Sequence, residues 1–200
     1  MKKAILAVVL GSVAFGAMAQ ETPWQVRARA VHINPADKSD PIAGVGPSDL
    51  ITVSSKTIPE VDISYFFTPN ISAELVLTYP QKHTVYVAGE SAGTFKHLPP
   101  TLLAQYHFTP SSQLSPYLGV GVNWTTFSKN KILDGQGSLE HDSFGLALQA
   151  GVDCKLDKNW SLNLDIKKVQ IRSDVLLAGT KVSKVKVDPV MFGVGVGYRF

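Results

Sequence analysis

The chain lacks three features that define common classes of exported and nucleic-acid-binding proteins. It has a single cysteine, Cys154, so no internal disulfide can form. After the first 20 residues it has no run of about 18 or more apolar residues, which excludes a transmembrane helix there. It also lacks a strong charge of either sign, because 19 Lys and Arg side chains accompany 16 Asp and Glu side chains. This balance gives no electrostatic basis for binding nucleic acid.

The first 19 residues have the pattern of a secretory signal peptide. Met1-Lys2-Lys3 precedes an apolar run from Ala4 to Ala17, and Ala17-Met18-Ala19 forms an Ala-x-Ala cleavage site. We therefore predict cleavage after Ala19, so that 1–19 is the signal peptide and 20–200 is one exported domain. Without Lys2 and Lys3, that domain has 17 basic and 16 acidic side chains.

The segment from Asp188 to Phe200 carries a clear strand pattern. Its large apolar side chains recur every second residue, as in a β-strand, whose successive side chains point to opposite faces. A soluble sheet would have polar side chains on the second face, whereas here that face is almost bare glycine. An apolar outer face with small or polar inward residues is typical of an outer-membrane barrel strand. One face has Val190, Phe192, Val194, Val196, Tyr198 and Phe200, and the other has Met191, Gly193, Gly195, Gly197 and Arg199.

Seven further segments alternate in the same way, which makes eight predicted strands. Short turns and long loops alternate between them, with both termini on the short-turn side, as in outer-membrane barrels. The seventh segment loses its alternation near Lys168 and Val169, where we expect a bulge or the exit from the membrane. The predicted strands span about 24–33, 60–67, 71–79, 101–108, 117–124, 144–155, 160–167 and 190–200.

The sequence thus predicts an all-β fold, an eight-stranded antiparallel transmembrane β-barrel in the cell outer membrane. A soluble lipocalin-like barrel is the rival fold, but its large alternate side chains would face the cavity and its outside would be polar. Cys154 falls on the apolar face of its strand, which favours a small hydrophobic role over a reactive thiol.

The inward positions of the predicted strands carry five basic and five acidic side chains. Eight strands enclose a lumen that side chains roughly fill, so a general porin is excluded. Because an unpaired buried charge is costly, we expect these side chains to form salt bridges. We predict a lumenal charge plug made of Arg27, Arg29, Glu74, Asp153, Lys155 and Arg199, with Glu60, Asp62, Asp165 and Lys167 at or above mid-height.

Toward the outer end, the inward positions become apolar or weakly polar. We predict an apolar cup above the charge plug, with Val76, Leu103 and Met191 lining a narrow channel. The alternative is that these side chains simply pack the lumen. The inward positions concerned are Val76, Thr78, Thr101, Leu103, Thr125, Ala147 and Met191.

Two adjacent prolines, Pro99 and Pro100, stand at the outer start of the fourth predicted strand. Neither can donate an N–H to a sheet ladder, and proline in sheets is confined to edges, strand starts and bulges. In lipid, unmet backbone groups are expensive, so such a break belongs near the interface or beside a cavity. We predict a lateral gate at Pro99 and Pro100, through which an apolar solute leaves into the bilayer. The alternative is that the prolines only begin the strand.

Four stretches together resemble the OmpW (outer-membrane protein W) family of eight-stranded barrels. The resemblance implies a narrow hydrophobic channel, uptake of small hydrophobic compounds and a link to stress responses. The first and last long loops and the region of Cys154 carry less of the pattern, so it implies nothing about ligand choice by the loops. The stretches are His97-Leu-Pro-Pro-Thr-Leu-Leu-Ala-Gln-Tyr-His-Phe108, Pro116-Tyr-Leu-Gly-Val-Gly-Val-Asn-Trp-Thr-Thr-Phe127, 142–153 and 187–200.

Other chemistries have little support in the sequence. The five histidines show no metal-ligand spacing, and no Gly-rich loop precedes a helix, so we expect no metal and no cofactor. His141 and Ser143, with Glu140 beside them, resemble the catalytic residues of barrel lipid A deacylases. However, Ser143 falls on the inward face, whereas a nucleophile that attacks membrane lipid must face outward. We therefore predict that the protein is not an enzyme.

The predicted function is uptake of small hydrophobic molecules through a narrow channel, with lateral release into the membrane. The alternative is a structural or surface-receptor barrel that acts through its extracellular loops without transport. Expected partners are outer-membrane lipids and lipopolysaccharide, small hydrophobic solutes, and the barrel-assembly machinery through the strand that ends at Phe200. A basic run in the last long loop, Lys181, Lys184 and Lys186, favours a solvated hairpin over a lipopolysaccharide-phosphate site.

Overall fold

The computed structural model describes residues 22–132, 137–177 and 180–200. The predicted signal peptide, 1–19, lies outside these residues. No helix within the described ranges is long and apolar enough to cross a membrane. A short 3-10 helix, Ile42–Gly44, accompanies fifteen strands there. In chain order these are β1 (Trp24–Asn34), β2 (Lys38–Ser39), β3 (Ile51–Val53), β4 (Lys56–Phe66), β5 (Ile71–Leu77), β6 (Gln81–Val87), β7 (Glu90–Leu98), β8 (Thr101–His107), β9 (Leu114–Ile132), β10 (Gly137–Leu139), β11 (Asp142–Lys155), β12 (Trp160–Val169), β13 (Arg172–Leu177), β14 (Thr180–Lys186) and β15 (Val190–Arg199).

Eight of these strands form a closed antiparallel barrel. In order around the wall they are β1, β4, β5, β8, β9, β11, β12 and β15, and β15 pairs again with β1. The first and last strands are joined over ten residue pairs, from Gln25 with Arg199 to Asn34 with Val190. Closure leaves no wall strand with an unpaired edge, which is what a sheet in lipid requires. The predicted eight-stranded barrel is therefore confirmed.

The outer surface of the wall is an apolar belt between two sets of aromatic side chains. At the end that holds the short turns, Trp24 meets Tyr65 edge-on with ring centroids 4.9 Å apart, and Trp160 meets Tyr198 at the same distance. Such aromatic girdles mark the two interfaces of a membrane barrel. Exposed aromatic side chains toward the opposite end are Tyr79, Trp124 and Phe144.

The sequence suggested that the long connections are simple loops, but in the structure they are not. They contribute seven further strands that continue the sheet above the membrane belt, including the hairpin of β6 and β7 and that of β13 and β14. β9 rises beyond the belt and pairs with β7 as well as with β8 and β11. The hairpin of β6 and β7 turns at Ala88-Gly89, where both residues have positive φ, as in a two-residue type I′ turn. We call this outer part the extracellular sheet.

The predicted bulge near Lys168 and Val169 is wrong, whereas an exit from the membrane at this point stays a prediction. β12 keeps its alternation to its end, where Lys168 is exposed and Val169 is buried opposite Ala147. At this height the inward side chains change from charged, at Lys167, to apolar, at Val169. An apolar residue at an inward position therefore continues the strand rather than interrupting it.

Candidate functional site

A buried network of charges fills the middle of the lumen, and Arg27 on β1 is its lower centre. Its Nη2 lies 2.7 Å from Asp153 Oδ2, and its Nη1 donates to Glu74 Oε2 at 2.8 Å and to Ser64 Oγ at 3.0 Å. A weaker contact joins Nη1 to Asp62 Oδ1 at 3.5 Å. The Arg27 side chain is fully buried. One guanidinium thus connects side chains from three other wall strands.

Arg29 lies one inward position above Arg27 and joins further carboxylates. Its Nη2 lies 2.8 Å from Asp62 Oδ2 and 2.9 Å from Glu74 Oε2, while its Nη1 lies 3.0 Å from Asp165 Oδ1. Glu74 therefore bridges the two arginines. Arginine suits this position because its planar guanidinium presents several donors at once.

Lys167 on β12 completes the network at its outer end. Its Nζ donates to Glu60 Oε1 at 2.7 Å and lies 3.6 Å from Asp165 Oδ1. All charged members of the network are buried, and the five acids outnumber the three bases. We call these eight side chains the charge network: Arg27, Arg29, Glu60, Asp62, Glu74, Asp153, Asp165 and Lys167.

The glycine face of β15 makes room for the two arginines. A Cβ at Gly195 would lie 2.1 Å from the Ala28 carbonyl oxygen and 2.8 Å from the Arg29 Cα. A Cβ at Gly197 would lie 3.2 Å from the Arg27 Cγ, and a Cβ at Gly193 would lie 3.4 Å from the Arg29 Cδ. The nearly bare inner face of the last strand is thus the complement of a wall that carries long cationic side chains.

Neutral polar side chains close the space around the charges. The Gln149 amide donates to Glu74 Oε1 and to Asp165 Oδ2, each at 2.8 Å. The Tyr117 hydroxyl donates to Asp165 Oδ2 at 3.2 Å and accepts from the Asn163 amide at 3.0 Å. These side chains are buried as well. At this height the lumen is therefore filled, and no wide aqueous path crosses it.

The predicted charge plug divides into two groups. Arg27, Arg29, Glu74 and Asp153 belong to the charge network, whereas Lys155 and Arg199 lie below it. These two line a cavity of about 390 Å³ at the end of the barrel that holds the short turns. The ammonium of Lys155 donates to the Pro110 carbonyl, and the Arg199 guanidinium stacks 4.1 Å from the centroid of the Phe66 ring.

Above the charge network the lumen is packed with apolar side chains. Val76 and Leu103 are buried, and Met191 packs against the same hydrophobic cluster, which continues into the extracellular sheet. The space left is small. A cavity of about 20 Å³ lies beside Val76, Met191 and Pro99, and a second of about 80 Å³ lies farther out and has an apolar lining.

An aromatic cluster separates these two cavities. His97 is 1 % exposed, and its ring lies 4.8 Å from that of His83, 5.7 Å from that of Phe95 and 6.2 Å from that of Phe127. The cluster lies at the base of the extracellular sheet, above the membrane belt. Burial, with smaller contributions from the neighbouring His83 and Lys56, lowers the pKa of His97 to about 3. Burial also lowers the pKa of His83. Both rings are therefore neutral at pH 7.

The backbone is irregular next to this cluster. Wall pairing between β5 and β8 ends at Val76 with Thr101, and pairing between β6 and β7 starts at Gln81 with His97. Between these two pairs the chain covers five residue steps on one side, from Val76 to Gln81, and four on the other, from His97 to Thr101. Tyr79 and Pro80 both face outward, as in a bulge. No ladder pair joins the two sides within this described stretch. We call this gap, which comprises residues 77–80 and 98–100, the proline seam.

On their other side, the predicted gate prolines are firmly attached. Leu98 pairs with Thr126, and the Pro100 carbonyl accepts the Trp124 N–H at 3.1 Å and the Asn123 amide at 3.1 Å. The discontinuity therefore lies between β5 and β8, not between β8 and β9.

Sequence and fold comparisons agree with this architecture. The family model described as "OmpW family" matches residues 20–200. The chain belongs to the OmpW family. It is similar to the uncharacterized outer-membrane protein y4mB of Sinorhizobium fredii, with 42 % identity over 192 residues, 92 % of this chain and 83 % of that protein. It is 32 % identical to outer membrane protein W of Vibrio cholerae over 198 residues, 90 % of each chain.

Solved structures place this OmpW-family chain among outer-membrane barrels. It matches the crystal structure of the outer membrane protein OprG from Pseudomonas aeruginosa with a TM-score of 0.79 and 30 % identity, over 90 % of this chain and 97 % of that one. A more distant relative from Pseudomonas aeruginosa, 22 % identical over 91 % of this chain and 90 % of its own length, is named dibenzothiophene metabolism operon protein PahQ. The protein is thus a β-barrel of the outer membrane.

The deacylase-like residues of this OmpW-family barrel face different surroundings. Ser143 is buried on the inward face, and its Oγ accepts the Arg172 N–H at 3.0 Å. His141 and Glu140 are exposed. Among the described residues, no group of three or more His, Cys, Asp or Glu side chains is arranged to hold a metal ion.

Sequence reasoning missed the aromatic cluster because Phe95 and His83 lie in a segment predicted to be a loop. The sequence gives little signal for it, because the buried Gln81 and His83 are polar, like their neighbours Lys82 and Thr84. Phe127 lies at the end of a stretch that carries the family resemblance. Its burial depends on β9 rising above the membrane belt, which the sequence did not indicate.

Proposed function

We propose that this barrel admits small hydrophobic solutes from the outside and releases them sideways into the outer membrane through the proline seam. Val76, Leu103 and Met191 would line the lower end of the path, and Pro99 and Pro100 would form the gate. The name of the relative PahQ, which refers to metabolism of the apolar compound dibenzothiophene, is compatible with a solute of this class.

The observation that carries this proposal is the proline seam. Over roughly 13 Å of strand length the wall has no ladder pairs on this side. Pro80, Pro99 and Pro100 lack N–H groups, so the seam has fewer donors that need partners in lipid. The small cavity beside Pro99 and Met191 touches the seam from inside. Separating the two sides there breaks no sheet hydrogen bonds.

The charge network supports lateral release over passage through the lumen. An apolar solute that moved down past Arg27 and Arg29 would have to separate buried ion pairs, and an uncompensated buried charge costs several kcal/mol. The seam lies above these charges. A solute in the apolar region would therefore meet the seam before it met the network.

Uptake by intact cells tests this proposal. Cells would carry no barrel, the intact barrel, or Pro99→Ala with Pro100→Ala, and entry of naphthalene and of a small sugar would be compared. We expect the intact barrel to speed naphthalene entry alone. The double variant should reduce that gain, because the alanines supply N–H donors that let the ladder close. Pro59→Ala is the matched control, since Pro59 lies inside a paired stretch of β4.

One observation favours the rival function, a structural or surface-receptor barrel. The apolar cavities hold only about 80 Å³ and about 20 Å³, and the extracellular sheet above them is folded rather than loose. If naphthalene enters equally with and without the barrel, the transport proposal is wrong and the receptor function is favoured. Deletion of the hairpin of β13 and β14 should then abolish the surface role.

We further infer that the barrel acts without catalysis. The inward orientation of Ser143 and the exposure of His141 support this, since a lipid substrate would approach from outside. Purified protein would be incubated with lipid A. Acyl release that disappears in Ser143→Ala would contradict the inference.

A further inference from the structure

Three neighbouring side chains at the base of the extracellular sheet have polar atoms without partners. Gln81 and His97 face each other across β6 and β7, and His83 lies one inward position farther along β6. All three are at most 1 % exposed. The Oε1 of Gln81, the Nε2 of His83 and both ring nitrogens of His97 have no hydrogen-bond partner among the described residues. Buried polar atoms are normally paired, so this group requires an explanation.

The hydrogen-bonding character of the group can be assigned. His83 Nδ1 lies 2.8 Å from the Ser54 carbonyl oxygen, which only accepts, so Nδ1 carries the proton and Nε2 is an acceptor. The Gln81 amide nitrogen donates to Thr78 Oγ1 and to the Tyr79 carbonyl, which leaves Oε1 as an acceptor. A neutral His97 offers one donor and one acceptor. The group therefore presents three acceptors and one donor.

The position of this group is on the proposed path of a solute. His97 lines the small cavity beside Pro99, while its neighbours Phe95 and Phe127 line the larger outer cavity. The remaining lining of the outer cavity is almost entirely aliphatic. A solute that moved from the outer cavity to the proline seam would pass His97, where it would first meet unpaired polar atoms.

We propose that Gln81, His83 and His97 form a polar recognition site for a hydroxyl group on an otherwise apolar solute. This inference rests on the proposed uptake function and names the class of substrate that the path favours. A hydroxyl supplies a donor for one of the acceptors and can accept the His97 N–H at the same time. A solute without a donor leaves the acceptors unpaired, and leaving buried acceptors unpaired is unfavourable.

Other ligand classes fit these atoms less well. A carboxylate only accepts and would face three acceptors against a single donor. A metal ion would find two imidazoles and one amide oxygen here, and among the described residues no group of three or more His, Cys, Asp or Glu side chains is arranged to hold a metal ion. A hydroxyl on an aromatic or aliphatic body is therefore the best match to both the polar group and its apolar surroundings.

Direct binding tests this inference. The purified barrel in lipid nanodiscs would be titrated with naphthalene, 1-methoxynaphthalene and 1-naphthol, which share a ring system but differ in donor capacity, and empty nanodiscs would be subtracted. In His97→Leu we expect the affinity for 1-naphthol to fall about tenfold and the other two affinities to stay within about twofold. His97→Gln, which keeps a donor and an acceptor, should recover most of the 1-naphthol affinity.

Two controls separate recognition from damage to the fold. His32→Leu removes an exposed histidine on the outer face of β1 and should change no affinity. In the unmutated protein, the ring-nitrogen NMR shifts of His83 and His97 should move with 1-naphthol and not with naphthalene. That measurement needs no variant to fold.

The outcomes distinguish this inference from the proposed function. If His97→Leu weakens all three probes equally, or if 1-naphthol shifts neither histidine, hydroxyl recognition is wrong while hydrophobic uptake stands. The same holds if buried water already satisfies these atoms, because 1-naphthol would then gain nothing over naphthalene. If no probe binds above the empty nanodiscs, both the uptake function and the inference fail.

Discussion

Replacing Arg27 with Met should destabilise the barrel by about 3–5 kcal/mol, because it leaves the buried Asp153 carboxylate without a cation and leaves Glu74 with Arg29 alone. Arg27 is fully buried and lies 2.7 Å from Asp153 Oδ2 and 2.8 Å from Glu74 Oε2. The charge network has three bases and five acids, so the change leaves two bases against five acids.

Asp62→Asn should cost much less, about 1 kcal/mol, although Asp62 is just as buried. It removes one acid from a network that already has an excess of acids. Arg29 also keeps Glu74 and Asp165 as partners, at 2.9 Å and 3.0 Å. The contrast between the two substitutions depends on charge balance and not on burial.

Urea unfolding in phospholipid vesicles measures both effects, with tryptophan fluorescence and electrophoretic mobility as the two probes of folding. Lys158→Met, in an exposed turn, is the control for loss of a positive charge. The double variant Arg27→Met with Asp153→Asn should recover some of the loss, because it removes one orphaned carboxylate. Equal costs for Arg27→Met and Asp62→Asn would refute the reasoning from charge balance.

Two further predictions concern the last strand and the extracellular sheet. Gly195→Ala should abolish folding into vesicles, because its Cβ would lie 2.1 Å from a backbone oxygen. Gly193→Ala is the control and should fold, since the atom nearest to its Cβ lies 3.4 Å away. The electrophoretic mobility of the folded barrel measures both, and equal folding of the two variants would contradict the packing argument. The free energy of opening of β6 and β7, obtained from amide exchange after correction for the intrinsic exchange rate, should decrease as pH falls below about 6.5, by up to about 1.4 kcal/mol per pH unit for each histidine that the opened hairpin protonates. The sign follows because burial lowers the pKa of His97 to about 3 and also lowers that of His83, so the opened hairpin binds more protons than the closed one. His97→Leu should weaken this response, β12 should serve as the internal reference, and an unchanged response in the variant would exclude His97 as its source.

The wall of the barrel was predictable because lipid imposes a simple rule on each strand. Within the membrane belt the outward residues are apolar, so a period of two residues survives in all eight wall strands. The same rule places charges inward, and so Arg27, Arg29, Glu74 and Asp153 were assigned to one lumenal network before any pairing was known. Which side chains pair with which could not be predicted, because that depends on the register between neighbouring strands, which sets the height of each side chain in the lumen.

Height also explains the incomplete prediction of the charge plug. Alternation put Lys155 on the same face as Asp153. However, a step of two residues along β11 leads from the charge network to the cavity at the short-turn end of the barrel. The sequence carries no direct signal for that boundary. It depends on how far each strand is displaced relative to its neighbours, and alternation within a single strand does not report that displacement.

The extracellular sheet was missed for a different reason. Above the belt the outer face of the sheet meets water, so the outward residues there need not be apolar. Irregularities then shift the register between β6 and β7 opposite Val85 and Tyr86, where the extra residue lies in β7, and between β7 and β9 near Thr94 and Lys96. Each bulge changes the parity of the residues that follow it. A pattern that changes phase every few residues resembles a loop when it is read by eye.

The charge network and the proline seam together favour one exit for an apolar solute. To pass downward, a solute must break contacts of 2.7–2.8 Å between buried ions, and leaving a buried charge without its partner is costly. To pass sideways, it must separate a pair of backbone segments that share no ladder hydrogen bond and meet lipid-facing side chains such as Tyr79. The second path exchanges apolar packing in the lumen for apolar contact with lipid, which costs little. Under the proposed function, the barrel would therefore transfer a hydrophobic molecule through a seam placed above its charges and would need no aqueous pore.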